Sequence, residues 1–244
     1  MNGASHKQDR QDIAGKMTTV AAGADVVALL ERLERLDTCA VSDALDRLQL
    51  RGATIGIRPL WPCPRIVGRA VTVKIVPAGI AKPSVHLATP AIEAAEPGDV
   101  VVVDNAGRTD VSSWGDILSN AALTRGVRGV VIDGACRDID GSREIGFPVF
   151  GKAVVPVTAR GRIIQESFNT PIQVAGVQVR PGDLLIADGS GAVFIPREKA
   201  SEVIEVGERL AAREAAMVEA VRAGRSVVDV MHDTQFDAAL EEGT

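Results

Sequence analysis

The sequence predicts an α/β fold: a single layered domain over residues 17–244, with a central βαβ unit, a β-rich middle and helical termini. Three observations carry that expectation. Residues 100–103 are four consecutive valines, the pattern of a strand buried on both faces. Residues 127–132 (Val-Arg-Gly-Val-Val-Ile) form a second buried run, and 116–124 between them reads as a helix closed by Gly126. Residues 197–223 are amphipathic and rich in Ala, Glu and Arg, which predicts a long C-terminal helix.

The elements follow in order. Residues 1–16 are polar and charged and read as a disordered arm or an expression remnant outside the fold. Residues 24–36 place Val27, Leu30 and Leu33 at helical spacing, and Asp37 or Thr38 can cap a second helix over 41–48. A proline-rich loop covers 60–64, and the alternation over 67–76 predicts a strand. A short helix over 85–95 stops at Pro97-Gly98, and 105–114 reads as a long loop. Short strands are expected at 147–150 and 154–157, then a loop over 158–170. Residues 174–196 read as β segments joined by Pro-Gly and Gly-Ser-Gly turns.

Composition sets the class of protein. With 46% apolar and 24% charged residues the chain is an ordinary soluble globular sequence. It has no Tyr, five Phe and two Trp, so Val, Ile, Leu and Ala must build the core. A net charge of -5 argues against nucleic-acid binding, which calls for a basic face. The three cysteines (Cys39, Cys63, Cys136) are odd in number and lack a CxxC pair, so reduced thiols and a cytoplasmic location are expected. No signal peptide or 18-residue apolar span is present, so no membrane role is expected. His6, His86 and His232 are too scattered for a metal cluster, and His86 reads as structural.

The candidate chemistry sits at the ends of the βαβ unit. Parallel strands joined by a helix bring the strand C-termini and the helix N-terminus to one sheet edge, where ligands of open α/β sheets gather. The helix start Gly115-Asp116-Ile117-Leu118 offers unpaired N–H groups and a favourable dipole to an anion, and Gly115 permits close approach. Arg137-Asp138 lies at the same edge. A carboxylate there can hold Mg²⁺ or Mn²⁺, and a guanidinium beside it suits a carbonyl or carboxylate oxygen. Cys136 reads as a small apolar filler rather than a nucleophile. Gly189-Ser190-Gly191 reads as a hairpin turn. Arg160-Gly161-Arg162 either meets a distal carboxylate of a ligand or remains a solvated loop.

The string Gly-Asp-Ile-Leu, then Ala-Ala-x-x-x-Gly-Val-x-Gly-Val-Val-Ile-Asp-Gly-Ala-x-Arg-Asp, then Gly-Phe-Pro-Val-Phe, resembles the RraA-like proteins. These include class II 4-hydroxy-4-methyl-2-oxoglutarate and 4-carboxy-4-hydroxy-2-oxoadipate aldolases. The later Pro-Gly-Asp-Leu-Leu-Ile-Ala-Asp and Ala-Val-Phe-Ile-Pro elements match as well, so the resemblance runs from about residue 37 to 224. It implies a β/β/α swivelling-type domain, assembled as homotrimers or hexamers with sites between subunits. It implies a Mg²⁺-dependent C–C lyase that releases pyruvate from a 4-hydroxy-2-oxo acid through a metal-stabilised enolate, often with oxaloacetate decarboxylase activity. By the same resemblance Asp138 is the metal ligand and Arg137 contacts the pyruvyl oxygens. The N–H groups of Gly115 to Leu118 hold the substrate carboxylate, and Asp116 reaches metal-bound water. A further acid is expected on a neighbouring subunit's C-terminal helix, where Glu214 fits best and Glu208 and Glu219 are the alternatives. A metal-bound hydroxide, or water polarised by Asp116 and Glu214, would take the C4 hydroxyl proton.

Two rival readings have different requirements. A Schiff-base aldolase needs a lysine of lowered pKa, with Lys74 or Lys152 as candidates, though Lys74 falls on the polar side of its strand. The family also contains regulators that bind and inhibit a ribonuclease without catalysis. Such a regulator has no need for Asp116, Arg137 and Asp138 to converge.

Overall fold

A computed structural model describes residues 25–80 and 85–232. The arm expected over 1–16 lies outside the described residues. Helix α1 occupies 25–33, and α2 spans Thr38–Arg47. Asp37 caps α2 by accepting the Ala40 N–H at 2.8 Å, so this helix begins earlier than residue 41. The chain continues through β1 (Arg58–Pro59), β2 (Ile66–Pro77), α3 (Thr89–Ala94), β3 (Val100–Ser112), α4 (Asp116–Thr124) and β4 (Gly129–Cys136). After α5 (Ile139–Glu144) come β5 (Val149–Gly151), β6 (Ala153–Val154), β7 (Ile163–Phe168), β8 (Ile172–Val174) and β9 (Val177–Val179). The last elements are β10 (Leu184–Asp188), β11 (Gly191–Ile195), a 3₁₀ turn at Arg197–Lys199, α6 (Ala200–Arg222) and α7 (Val227–Val230).

The main sheet runs β1-β5-β4-β3-β2-β10-β11, with β6 on β4 and β7 on β2. Strands β2, β3, β4 and β5 are parallel, and β10 joins β2 antiparallel. Its two ends nearly meet. Phe194 N–H donates to Gly52 O at 2.9 Å and Ala53 bridges Val193, while Arg58 and Pro59 pair with Gly151 and Phe150. Residues 52–59 therefore span from β11 to β5 and bring the sheet close to a barrel.

Side-chain alternation divides the core, because successive strand residues point to opposite faces. Val71, Val73, Val101, Val103, Val130 and Ile132 pack beneath α3 and α4. Ala70, Val100, Val102 and Val131 turn the other way, toward Phe150, Phe194 and the β8–β9 hairpin. A third cluster seats α1, α2 and α6 on β10 and β11 through Leu33, Leu45, Ile186, Val203 and Ile204. The α/β layering and the central parallel β3–α4–β4 unit thus match the sequence expectation.

Four local expectations are corrected. Residues 105–112 are strand, not loop: β3 continues with register shifts after Asp104 and Arg108, and Ser112 pairs with Ala135. Positive φ at Ala106 (52°) and Gly107 (70°) lets the backbone bulge and resume pairing. Residues 163–168, within the expected loop 158–170, form β7 against β2. The strand expected over 154–157 is Ala153–Val154, and α5 was not expected at all. The helix expected from 197 begins as a 3₁₀ turn. Among the described residues no helix is long and apolar enough to cross a membrane.

Candidate active site

Because β3 runs to Ser112, only residues 113–115 join it to α4. That short passage is held on both sides. Ser113 N–H donates to Ala135 O and Arg137 N–H to Trp114 O, both at 2.9 Å, so the passage zips against the end of β4. The Trp114 ring is buried and stacked on Phe147 at 6.2 Å, and its Nε1–H donates to Ser119 Oγ at 2.9 Å. Ser119 Oγ also meets Ser142 Oγ at 2.8 Å, tying the start of α4 to α5. Gly115 is fixed by this network in an extended conformation, φ -153°, as the N-cap of α4.

Gly115, Arg137 and Asp138 converge. A Cβ on Gly115 would lie 2.7 Å from Asp138 Oδ2 and 3.5 Å from both Cγ and Nε of Arg137. The two side chains occupy the space that any other residue at 115 would need. Arg137 Nε and Asp138 Oδ2 are themselves 3.1 Å apart, each side chain 39% exposed. Asp138 has left-handed backbone geometry (φ 55°, ψ 37°), which a non-glycine residue adopts at a cost of roughly 1–2 kcal/mol. That turn swings its carboxylate back over Gly115.

The other sequence-derived residues fall as follows. The N-cap residue Gly115 offers α4 no side-chain cap, and the first N–H groups of the helix lack carbonyl partners within it. Asp116 Oδ1 accepts the Ile117 N–H at 2.7 Å, and its Oδ2 faces Gly141 on α5. The Ile117 side chain is exposed, whereas Leu118 is buried in the core, so only their backbone can serve a ligand. Glu214 does not join this group within the chain: it lines a separate cleft of about 310 Å³ between α2 and α6, beside Asp43, Asp46 and Arg213. Burial pushes the Cys136 thiol up to about 12, reinforced by the Asp138 charge, so it is inert as a nucleophile at neutral pH.

The two candidate Schiff-base lysines are both paired with carboxylates. Lys74 reaches Glu166 at 3.0 Å, and this hydrogen bond raises its pKa, opposite to what an amine nucleophile requires. Lys152 Nζ lies 2.6 Å from the buried Asp133 Oδ1, off hydrogen-bond alignment but paired in charge. The Gly189-Ser190 pair is the β10–β11 hairpin turn, with Asp188 paired to Gly191.

One wall of the site was not foreseen. Arg137, Asp138 and Asp140 share a cleft of about 350 Å³ with Val154, Val155 and Pro156. Parallel pairing of β6 with the end of β4 (Ala135 with Ala153, Cys136 with Val154) and the Val155 N–H bond to Cys136 O at 2.9 Å hold that wall in place. The chemistry of Asp138 suits a hard cation, since it offers carboxylate oxygen, and among the described residues no three His, Cys, Asp or Glu side chains gather into a closed metal site. Mg²⁺ is typically held that way, by one or two carboxylates with waters and substrate oxygens completing the shell.

A family model described as RraA-like, Aldolase/RraA, matches residues 38–194. The chain is 29% identical over 209 residues to "Protein DlpA" of Legionella pneumophila, covering 86% of this chain but only 34% of that protein. It thus spans about a third of that relative's length. It is 32% identical over 210 residues to a Halalkalibacterium halodurans protein named "Putative 4-hydroxy-4-methyl-2-oxoglutarate aldolase", covering 84% of this chain and 96% of that one. A solved structure of Streptomyces coelicolor RraAS2, described as an unusual member of the RNase ES inhibitor RraA protein family, superposes with a TM-score of 0.69. That match has 27% identity and covers 81% of this chain and 96% of the other.

Proposed function

The chain belongs to the RraA-like family, and from that premise we propose that it is a divalent-metal-dependent lyase that cleaves a 4-hydroxy-2-oxo acid to pyruvate. The observation that carries the reading is the convergence at Gly115, where the absent side chain makes room for Asp138 and Arg137 beside a helix start that its N-cap residue leaves without a side-chain partner. A protein acting only by surface contact has no use for a strained Asp138 held over a glycine.

The roles follow from position. The N–H groups at the start of α4 other than that of Ile117, which Asp116 holds, and the Arg137 guanidinium bind the C1 carboxylate and the C2 oxygen of the 2-oxo acid. Asp138 would hold Mg²⁺, and Asp116 would reach it through water. When bound, the ion supplies a Lewis acid for the 2-oxo group. Water ordered by Asp116 takes the proton from the C4 hydroxyl. The C3–C4 bond then breaks, its electron pair passes into the pyruvate enolate, and the C4 fragment leaves as a carbonyl compound. Arg137 stabilises the enolate oxygen until C3 is protonated by water. Oxaloacetate would enter the same course, with carbon dioxide as the leaving group. Glu214, reaching in from a neighbouring copy of a trimer or hexamer, would complete the acid set.

The test is pyruvate release from a panel of 4-hydroxy-2-oxo acids and oxaloacetate, with Mg²⁺ and with a chelator. Turnover should require the ion. Asp138→Ala should lower it by about a hundredfold or more. Chelator-resistant turnover, or full activity in Asp138→Ala, would refute the proposal. Absence of pyruvate from every substrate would return the chain to the regulatory reading.

A further inference from the structure

We propose that Ser119 and Ser142 are positioning residues: the hydrogen bond between them holds the start of α4 and the Asp138 carboxylate at one spacing, so that a metal ion and a 2-oxo acid bind cooperatively. The inference rests on the pyruvyl-site reading above and concerns what keeps the two halves of that site in register. The pair lies inside a single chain and is shut away from solvent, Ser119 at 0% exposure and Ser142 at 1%. A buried hydroxyl costs stability unless it is hydrogen-bonded, so its partners matter.

Those partners lead to both halves of the site. Trp114 Nε1–H donates to Ser119 Oγ at 2.9 Å, and Ser119 Oγ lies 3.3 Å from Gly115 O and 2.8 Å from Ser142 Oγ. One order gives every donor an acceptor: Ser142 donates to Ser119, and Ser119 donates to Gly115 O. The Ser119 N–H donates to the same carbonyl at 3.1 Å. Two bonds thus aim Gly115 O down α4. Because a trans peptide is planar, the Asp116 N–H on its other side points out of the helix start, ready for an anion. On α5 the Ser142 N–H donates to Asp138 O at 3.2 Å, and Ser142 O accepts the Phe147 N–H at 2.9 Å. Among the described residues the serine pair is the one hydrogen bond that joins α4 to α5. Gly141 tightens the fit. A Cβ there would stand 3.1 Å from Asp116 Cβ, so α5 sits as close to α4 as a glycine allows.

Calorimetric titration reads the coupling without turnover, as the affinity for Mg²⁺ alone and with pyruvate saturating. In the unaltered protein pyruvate should tighten Mg²⁺ binding about tenfold. Ser142→Ala removes the donor but keeps Asp138 and every backbone group. It should bind Mg²⁺ alone within about twofold of the parent, while the pyruvate effect shrinks to about twofold. Gly141→Ala separates positioning from stability. Alanine is the better helix former, so the thermal midpoint should hold or rise. The new methyl nevertheless presses on Asp116 and should cut the pyruvate effect about threefold. Full coupling in either variant overturns the proposal and leaves the pyruvyl-site reading standing. If Ser142→Ala does not fold, Gly141→Ala decides alone. If the unaltered protein binds Mg²⁺ equally with and without pyruvate, ion and oxo acid do not share a site. The pyruvyl-site reading then falls and takes the positioning role with it.

Discussion

At Gly115 the absent side chain matters more than backbone freedom. Its φ of -153° is open to any residue, so Ala would be tolerated by the backbone and by the helix it caps. What Ala would not tolerate is Asp138 Oδ2 at 2.7 Å from its new methyl. Gly115→Ala should therefore leave the thermal midpoint within a few degrees of the parent while lowering pyruvate release by about a hundredfold, the usual cost of a displacement near 1 Å. Activity and melting, measured on one preparation, decide it: a large loss of stability would mean that the glycine serves the fold. Gly115, Arg137 and Asp138 were legible in the sequence because each sits at the end of an element of one βαβ unit, where topology alone brings them together. Val154 was not legible. It reaches the site through parallel pairing of β6 with Cys136, a register that no local pattern in 153–156 encodes.

Among the elements, β3 and β4 carry both the core and the site, and the sequence was read correctly only for their buried halves. Val100–Val103 are fully buried and announce themselves by composition. Beyond them Asn105-Ala-Gly-Arg-Thr-Asp110 is polar and contains a glycine, which reads as loop. The structure pairs it nonetheless, because two register shifts let the chain bulge and rejoin β4. The same stretch of β4 explains why β6 stays in place. Asp133 is buried, its Oδ2 accepts the Ala175 N–H at 2.8 Å, and its Oδ1 faces Lys152 just ahead of β6. Lys152 N–H also donates to Gly134 O at 2.8 Å. Asp104 on β3 accepts the Gln173 N–H at 3.3 Å, so two neighbouring strands grip the β8–β9 hairpin with one carboxylate each. Lys152→Met would strand the Asp133 charge and should cost about 3 kcal/mol in urea unfolding. Adding Asp133→Asn should recover part of that loss, and a double variant no more stable than the single one would show that the pair's charge is not what holds β6.

For the molecule as a whole, stability depends on how the sheet closes. Cores on both faces of β2, β3 and β4 share the same strands, yet the sheet's path ends at β1 on one side and at β11 on the other. Residues 52–59 are what link those ends, with Thr54 N–H on Ala192 O at 3.1 Å and its Oγ1 on the same oxygen at 2.7 Å. The link comes so close that a Cβ on Gly52 would stand 2.0 Å from Phe194 O and 2.6 Å from Leu45 Cδ1 of α2. Backbone carbonyl and packed helix leave that methyl nowhere to go, so Gly52→Ala must open the bridge to β11 or shift α2. Overpacking of this kind costs about 3 kcal/mol, which should appear as a lower urea midpoint with an unchanged slope. The two tryptophans meet the same residue on the parallel-strand side of the structure: Trp61 follows the link and donates to Phe147 O at 3.2 Å, and Trp114 stacks on the Phe147 ring beneath the candidate site. If closure makes one cooperative unit, fluorescence and far-ultraviolet circular dichroism will give coincident transitions in both proteins. Separate transitions in the parent would mean that the helical end on β10 and β11 folds apart from the parallel strands. An unchanged midpoint in Gly52→Ala would mean that the link rests on the sheet without stabilising it.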